Sequence, residues 1–506
     1  MEALLECKKT QSLDSFYRGI GLENYPFNVY TAENEREYAA NIFVHPHNYD
    51  AIKQSFDSNR SIIVLGNRGT GKTALLNDLR QSASQSDCLV CDIEDYSKIG
   101  IPSTTESFYK IMVNTLVSTL FDQLFEEKNR IKRLKKDDRL FLSMLLSQYT
   151  DQLTKTSLCN KIDTIQLPKG ILFLKKTSNL VRLILNYGLS AAVNILNDTI
   201  RSYFTYIPPI TEEQIHSLIP ELNFTAETEF NQSEASYNLI NKICSIIKKL
   251  GYNRTVVFFD KFDEDGRMEN NAEVIANFIV PLLTDNKLLE NNLVQLIISI
   301  WEVPFKRITE KVRTQKHFCP TLSWPISYLI VALDKRLNVF SNSKISSYRE
   351  LFDETVSEEQ MDEIFHLSNG NPRDLWHIID EIFKAQYSID GAKQKLGAYA
   401  VRQGLNSFVT EFNFYEYYPK KMKAKASTMD IYSYIKHLLK LPSEKFTKNQ
   451  LNEIAKTGSS TSNYVVGMES MGLITNTKEK ETSGVIYRIS DPKVVYAIKN
   501  HLDISR

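Results

Sequence analysis

The run Gly66-Asn-Arg-Gly-Thr-Gly-Lys-Thr73 satisfies the pattern G-x4-G-K-[ST] in full. Glycines at that spacing let the backbone curl into a concave loop whose N–H groups converge on one point, a geometry suited to phosphate oxygens. An apolar, β-branched run, Ser61 to Leu65, precedes the loop, and a helical pattern, Thr73 to Ser82, follows it. The helix start brings the positive end of its dipole to the same point. Gly66, Asn67, Arg68, Gly69, Thr70, Gly71, Lys72, Thr73 and Ala74 are therefore the expected nucleotide-contacting residues. Lys72 is expected on the β- and γ-phosphates, and the Thr73 hydroxyl on Mg²⁺. The expected ligand is ATP with Mg²⁺.

A loop of this kind needs a carboxylate at the end of a nearby strand to complete the metal shell. The sequence Val256-Val-Phe-Phe-Asp260-Lys-Phe-Asp263-Glu264 supplies one: four apolar residues run into Asp260, the expected metal ligand. In the commonest pattern a catalytic Glu follows the Asp directly, and here Lys261 stands in that place. A general base must then come from Asp263 or Glu264 on the following turn. Slow hydrolysis, or hydrolysis switched on by a partner that reorganises the turn, is the expectation.

Strand-like runs at Ser61 to Leu65, Cys88 to Ile93, Thr255 to Phe259 and Leu293 to Ile300 alternate with helical patterns. Such alternation predicts a parallel sheet flanked by helices. The fold class is α/β: a P-loop NTPase core with a long helical insertion, a helical lid and a C-terminal winged helix. The expected division is 1–45, an N-terminal lead-in with aromatic anchors; 46–323, the core, with the insertion at about 128–235; 324–420, the lid; and 427–506, the winged helix. In the last, helices at Met429 to Leu441, Lys448 to Lys456 and Ser459 to Met471 precede a hairpin, Leu473 to Thr475 with Val485 to Ile489. A closing helix follows Asp491-Pro492.

Four features together resemble AAA+-type ATPases of the origin-recognition and STAND-like groups, nearest to a bacterial group with a helical insertion between the two nucleotide motifs. They are Asn24-Tyr-Pro-Phe27 ahead of the loop, the loop itself, Asp260-x-x-Asp263-Glu264, and Gly370-Asn-Pro-Arg373-Asp374-Leu375. The resemblance implies that Phe27 flanks the adenine and that Arg373 is the sensor-2 arginine, reaching the γ-phosphate from the lid. Ser299 or Glu302 would stand at the sensor-1 position. Arg307, Arg313 or Arg336 would serve as a finger into a neighbouring subunit if the chain forms a ring. By analogy the resemblance also implies a role in anti-phage defence beside a separate nuclease.

The net charge is zero, but the chain from Lys420 onward carries 15 Lys and Arg against 8 Asp and Glu. A global basic footprint for nucleic acid is absent, while the C-terminal part is modestly basic. The third helix of the winged helix has no Lys or Arg. Ser459, Ser460, Ser462, Asn463 and Tyr464 could hydrogen-bond duplex DNA, with phosphate contacts from Lys448, Lys456, Lys478, Lys480 and the linker lysines 420, 421, 423 and 425. Protein docking is the alternative use of that fold. A basic run, Lys128 to Lys136, opens the insertion and reads as a solvated helix face or as a nucleic-acid or partner contact.

The lone Cys88-x-x-Cys91 lies in a strand-like run with no second pair for zinc, so strand packing is its expected role. No apolar run reaches membrane-spanning length, and the start of the chain lacks a basic segment followed by an apolar core. The cytoplasm is the expected location. The functional expectation is an ATP-binding and ATP-hydrolysing switch that couples nucleotide state to nucleic acid, to an effector protein or to self-association. Its alternative is a non-catalytic scaffold stabilised by nucleotide. No nuclease or protease motif is visible.

Overall fold

The computed structural model of the protein describes residues 12–28, 38–142, 145, 232–419, 429–481 and 484–504. Most of the insertion, the linker lysines and the wing tip at 482–483 lie outside the described residues.

Four strands form the central sheet: β1 Ile62–Gly66, β2 Leu89–Ile93, β3 Thr255–Phe259 and β4 Val294–Trp301. Their spatial order is β1-β4-β3-β2, and every pairing is parallel. Both faces of the inner strands are covered, and every residue of β1, β3 and β4 is buried. That is why these strands read as continuous apolar runs rather than as alternating ones.

The residues around 318–322 run parallel along the outer edge of β1. Ile63 N donates to Phe318 O at 3.1 Å, Leu65 N to Pro320 O at 2.8 Å, and Leu322 N to Leu65 O at 2.8 Å. The sequence reading placed no strand there. Pro320 breaks the strand pattern, and its missing N–H is tolerated because this is the sheet edge.

Two cores sandwich the sheet. On one face, helices Thr105–Glu126, Gln232–Lys249 and Ala272–Leu283 pack against it. On the other lie Tyr49–Asp57 and the helix after the loop, Lys72–Gln85. Cys91 is fully buried in the first core, where burial pushes its thiol far above the ordinary range. A protonated thiol in that setting behaves as a small apolar side chain, as the strand-packing reading expects.

The basic run that opens the insertion divides in two. Arg130 binds Asp87 at 2.6 Å and lies over the Tyr252 ring at 4.1 Å, and Arg133 donates to Leu250 O at 3.0 Å. Lys128, Lys132, Lys135 and Lys136 are exposed.

A third core joins the helices Ile326–Phe340, Glu358–Leu367, Pro372–Asp390 and Ala398–Glu411 to the C-terminal elements. Phe16, Leu22 and Phe27 of the lead-in are buried in this core. The C-terminal part has helices Ile431–Leu438, Lys448–Ala455 and Thr461–Ser470, then strands β6 Ile474–Glu481 and β7 Gly484–Ile489, and a last helix Pro492–Lys499. A short strand β5, Lys445–Thr447, joins the hairpin to give an antiparallel sheet in the order β5-β7-β6. No helix among the described residues is long and apolar enough to cross a membrane.

Candidate nucleotide site

The loop after β1 takes its shape from its glycines. Gly69 and Gly71 sit at φ of 83° and 81°, the left-handed region that glycine enters freely. A Cβ on Gly66 would lie 2.5 Å from the Thr70 hydroxyl. The helix that begins at Lys72 points its first N–H groups back into the loop.

Beside the loop lies a cleft of about 670 Å³. It is lined by Arg68, Gly69, Gly71, Lys72, Thr73 and Ala74 from the loop and by Asp260, Lys261, Asp263 and Glu264 from the turn after β3. Arg373 and Glu416 face it from the lid. The rest of the lining is apolar at Ala39, Ala40, Ile42, Phe43, Val44, Pro46, Ala332 and Trp376 and polar at Asn77, Asp78, Gln81 and Arg336. One cleft thus combines charged groups that suit phosphates with apolar groups that suit a base.

Thr73 Oγ1 donates to Asp260 Oδ2 at 3.0 Å, and Asp260 is almost fully buried. A hydroxyl and a carboxylate held together at the cleft wall are hard oxygen donors of the kind Mg²⁺ takes. Tyr96 fixes the end of β3, its buried hydroxyl 2.8 Å from Asp260 O and 2.9 Å from Ile93 O. Lys72 Nζ donates to Gly66 O at 3.1 Å and to Asn67 O at 3.0 Å. Burial pulls the Lys72 pKa below the ordinary lysine value, and the Asp263 and Asp260 carboxylates pull it back.

The two candidate bases differ in their surroundings. Asp263 accepts from Arg68 Nε at 2.6 Å, while Glu264 is exposed at the cleft wall. Lys261 adopts a left-handed backbone, φ 64°, and its ammonium lies 2.9 Å from Glu94.

The lid grips the loop from outside. Asn371 Nδ2 donates to Arg68 O at 2.7 Å, and Trp324 Nε1 donates to Thr70 O at 2.9 Å. Both bonds take loop carbonyls. Neither residue was among those expected from the sequence. Asn371 sits inside Gly370-Asn-Pro-Arg373, which drew attention only to its arginine. Asn371 also caps the helix Pro372–Asp390, accepting from Arg373 N at 3.0 Å. The Arg373 side chain projects from that capped turn. Its Nη1 is 3.9 Å from Glu416, and its buried Nε has no hydrogen-bond partner among the described residues. Arg373 lines this cleft, where a guanidinium suits an anionic oxygen.

Other expected residues fall elsewhere. Phe27 does not line the cleft. It is fully buried in the lid core behind Trp376, with ring centroids 6.3 Å apart. Ala39, Ala40, Ile42, Phe43 and Val44 line the cleft instead, because the aromatic lead-in packs into the lid. Arg336 is buried and donates to Pro26 O at 2.8 Å, so it cannot reach a neighbouring subunit from this position. Arg307 and Arg313 are exposed. Ser299 is buried in mid-strand opposite Val64, and Glu302 pairs with Lys306 at 2.7 Å. In the C-terminal part, Ser459, Ser462, Asn463, Lys456, Lys478 and Lys480 are exposed, and Ser460, Tyr464 and Lys448 are half-buried.

Residues 25–101, which span the loop and several of the cleft's apolar residues, match the model of a family described as ORC-CDC6-like. This bears out the resemblance to origin-recognition-type proteins drawn from the motifs. Among solved structures, the ORC2 protein of Aeropyrum pernix, in ADPNP-ADP complexes, is similar at 12% identity and a TM-score of 0.39, over 96% of this chain and 97% of that one. Cdc6p from Pyrobaculum aerophilum is similar at 11% identity and a TM-score of 0.30, over 97% and 99%. Among curated proteins none matches.

Proposed function

We propose that this chain, ORC-CDC6-like over residues 25–101, is an ATP-binding switch whose lid carries nucleotide state to the winged helix. One observation carries the reading. Four consecutive residues touch the loop, the cleft and the C-terminal part in turn: Asn371 holds the loop carbonyl of Arg68, Pro372 and Arg373 line the cleft, and Asp374 lies 3.1 Å from Lys493 of the last helix. Lys493 is fully buried there, with its Nζ 4.3 Å from the Phe412 ring centroid, and Tyr417 donates to Asp374 at 2.7 Å.

In this reading loop N–H groups and Lys72 bind the phosphates, and Arg373 reports the γ-phosphate. The base lies between Ile42–Val44 and Trp376. Thr73 and Asp260 would hold Mg²⁺, which when bound neutralises phosphate charge. A phosphate that draws Arg373 inward turns the capped end of its helix, and Asp374 carries Lys493 and the winged helix with it. Discrete packed contacts of this kind transmit a shift as a whole rather than absorbing it. The output is engagement of duplex DNA or of an effector protein by the winged helix, in a cytoplasmic setting. An anti-phage role beside a separate nuclease belongs to the same proposal. It predicts that protection against phage, measured by plaque counts, disappears in Lys72→Ala.

The test of the switch is a pair of titrations. ATP with Mg²⁺ is titrated against the protein and Lys72→Ala, followed by intrinsic fluorescence. The chain's three tryptophans all border the site: Trp324 and Trp376 line the cleft, and Trp301 lies under Arg68. Duplex DNA binding is then measured with and without ATP. Saturable ATP binding, weakened about 100-fold or more in Lys72→Ala, supports the nucleotide site. Equal binding by both proteins would end the reading.

A second reading, a nucleotide-stabilised scaffold that recruits partners, is favoured by Lys261. It occupies the position after Asp260 and is tied to Glu94. ATP that co-purifies and stays intact for days would decide for the scaffold.

A further inference from the structure

The contact between Arg68 and Asp263 carries a consequence for turnover, and it rests on the nucleotide reading above. We infer that this pair is a latch: Arg68 holds Asp263 as a masked base, and hydrolysis requires Arg68 to let go.

The geometry is specific. Arg68 Nε donates to Asp263 Oδ2 at 2.6 Å, and Nη2 donates to Asp263 O at 3.2 Å. The guanidinium also lies over the Trp301 ring, 4.4 Å from its centroid. Loop, acidic turn and strand end thus meet on one planar group, and both side chains of the pair are mostly shielded from water, at 17% and 13% exposure. The turn is anchored on its other side. Phe262 is buried and stacks on Tyr96 at 4.4 Å, so Asp263 stands at a fixed place on the cleft wall.

The chemistry follows from competition for one fork. Arg68 belongs to the phosphate loop, and a guanidinium prefers bidentate contact with carboxylate or phosphate oxygens. While it holds Asp263, Oδ2 is occupied, and the second contact, to the Asp263 backbone O, keeps the turn against the loop. When Arg68 turns to a phosphate oxygen, the carboxylate is released at the cleft wall. Asp263 then accepts a proton from the attacking water as its oxygen bonds to the γ-phosphorus. The bond from the γ-phosphorus to the bridging oxygen breaks, ADP leaves with that oxygen, and the proton passes from Asp263 to solvent. The balance is ATP and water to ADP, inorganic phosphate and a proton. Asp260 is already committed to Thr73 and to Lys261 N, at 3.0 Å each.

The experiment is single-turnover hydrolysis of ATP with Mg²⁺ on the full chain, with ATP binding measured in parallel. The variants are Arg68→Ala, Arg68→Gln, Asp263→Asn and Arg68→Ala with Asp263→Asn, each checked for fold by circular dichroism. The latch predicts hydrolysis about tenfold faster in Arg68→Ala, since removing the clamp raises the competent fraction. Arg68→Gln should also be faster, and Asp263→Asn about 100-fold slower. The double variant should be as slow as Asp263→Asn.

An unchanged or slower rate in Arg68→Ala with binding intact overturns the latch. A rise that survives in the double variant does so too, because another group, such as Glu264, would then be the base. Loss of ATP binding in both Arg68 variants also overturns it, by making Arg68 an anchor. Failure of the wild-type protein to bind ATP would instead remove the nucleotide reading itself, and is separately visible.

Discussion

At Gly69 the loop and the lid come within contact of each other, and a single hydrogen atom makes the approach possible. Its φ is 83°, and a Cβ there would lie 2.6 Å from Asn371 Oδ1 and 2.8 Å from Arg373 Cβ. Both atoms belong to the capped turn that aims Arg373, so they cannot retreat without moving the lid. Gly69→Ala should therefore weaken ATP binding by about tenfold or more, combining backbone strain of about 1–3 kcal/mol with displacement of the cap. Titration of ATP against a variant with wild-type circular dichroism checks it, and undiminished affinity would contradict the close approach. Gly69 stands at one of the free positions of the G-x4-G-K-[ST] pattern and was expected only as part of the phosphate loop. The fold adds a second demand on it, the close approach of the lid.

Helix packing in the lid rests on one more such position. Ala398–Glu411 crosses Pro372–Asp390 where Gly404 meets Ile382, and a Cβ on Gly404 would lie 2.6 Å from the Ile382 backbone. Alanine favours a helix over glycine by about 1 kcal/mol. Here the clash is with backbone, which yields little, and overpacking typically costs about 1–3 kcal/mol. The packing term should win, so Gly404→Ala lowers the midpoint of thermal unfolding despite its better helix propensity. A raised midpoint would mean that the helices are not in this contact. The elements themselves were largely legible in the sequence: the strand at Thr255–Phe259 matches the expected range, and the helix Lys448–Ala455 ends one residue short of it. The edge segment at 318–322 was not, because Pro320 confines such a run to an edge, a strand start or a bulge, and which segment is an edge is a tertiary fact.

Across the whole molecule the lid and the C-terminal part share one core, with a buried ion pair inside it. Lys493 Nζ is 3.1 Å from Asp374 and 4.0 Å from Asp491. Burial raises the Asp374 pKa above the ordinary carboxylate value, and Lys493 opposes that shift. Lys493→Met should destabilise the fold by about 3–5 kcal/mol, because it leaves a buried carboxylate without its cation. The sign of the pH dependence follows from the raised pKa. Protonated Asp374 carries no charge penalty, so the deficit is smallest near and below the unfolded value of 3.8 and grows as pH rises through the folded pKa. Chemical denaturation of Lys493→Met at pH 5 and pH 8 tests it. Equal deficits at both would exclude Asp374 as the cause. Adding Asp374→Asn should recover most of the loss.

Readable from the residues alone are the phosphate loop, the acid that meets Thr73, the parallel sheet and the C-terminal winged helix. Each is written in local pattern, because loop curvature, strand burial and helix caps are set by neighbouring residues. Relations between distant segments come from the fold instead. Phe27 is drawn into the lid core, and Ala39, Ala40, Ile42, Phe43 and Val44 line the cleft. Asn371 and Trp324 take the loop carbonyls, and Arg68 takes Asp263. Arg336, expected at a subunit boundary, is buried against Pro26 O. None of these follows from spacing. A buried polar group must find its partner wherever the fold supplies one, and that partner can lie 303 residues away, as Asn371 does from Arg68.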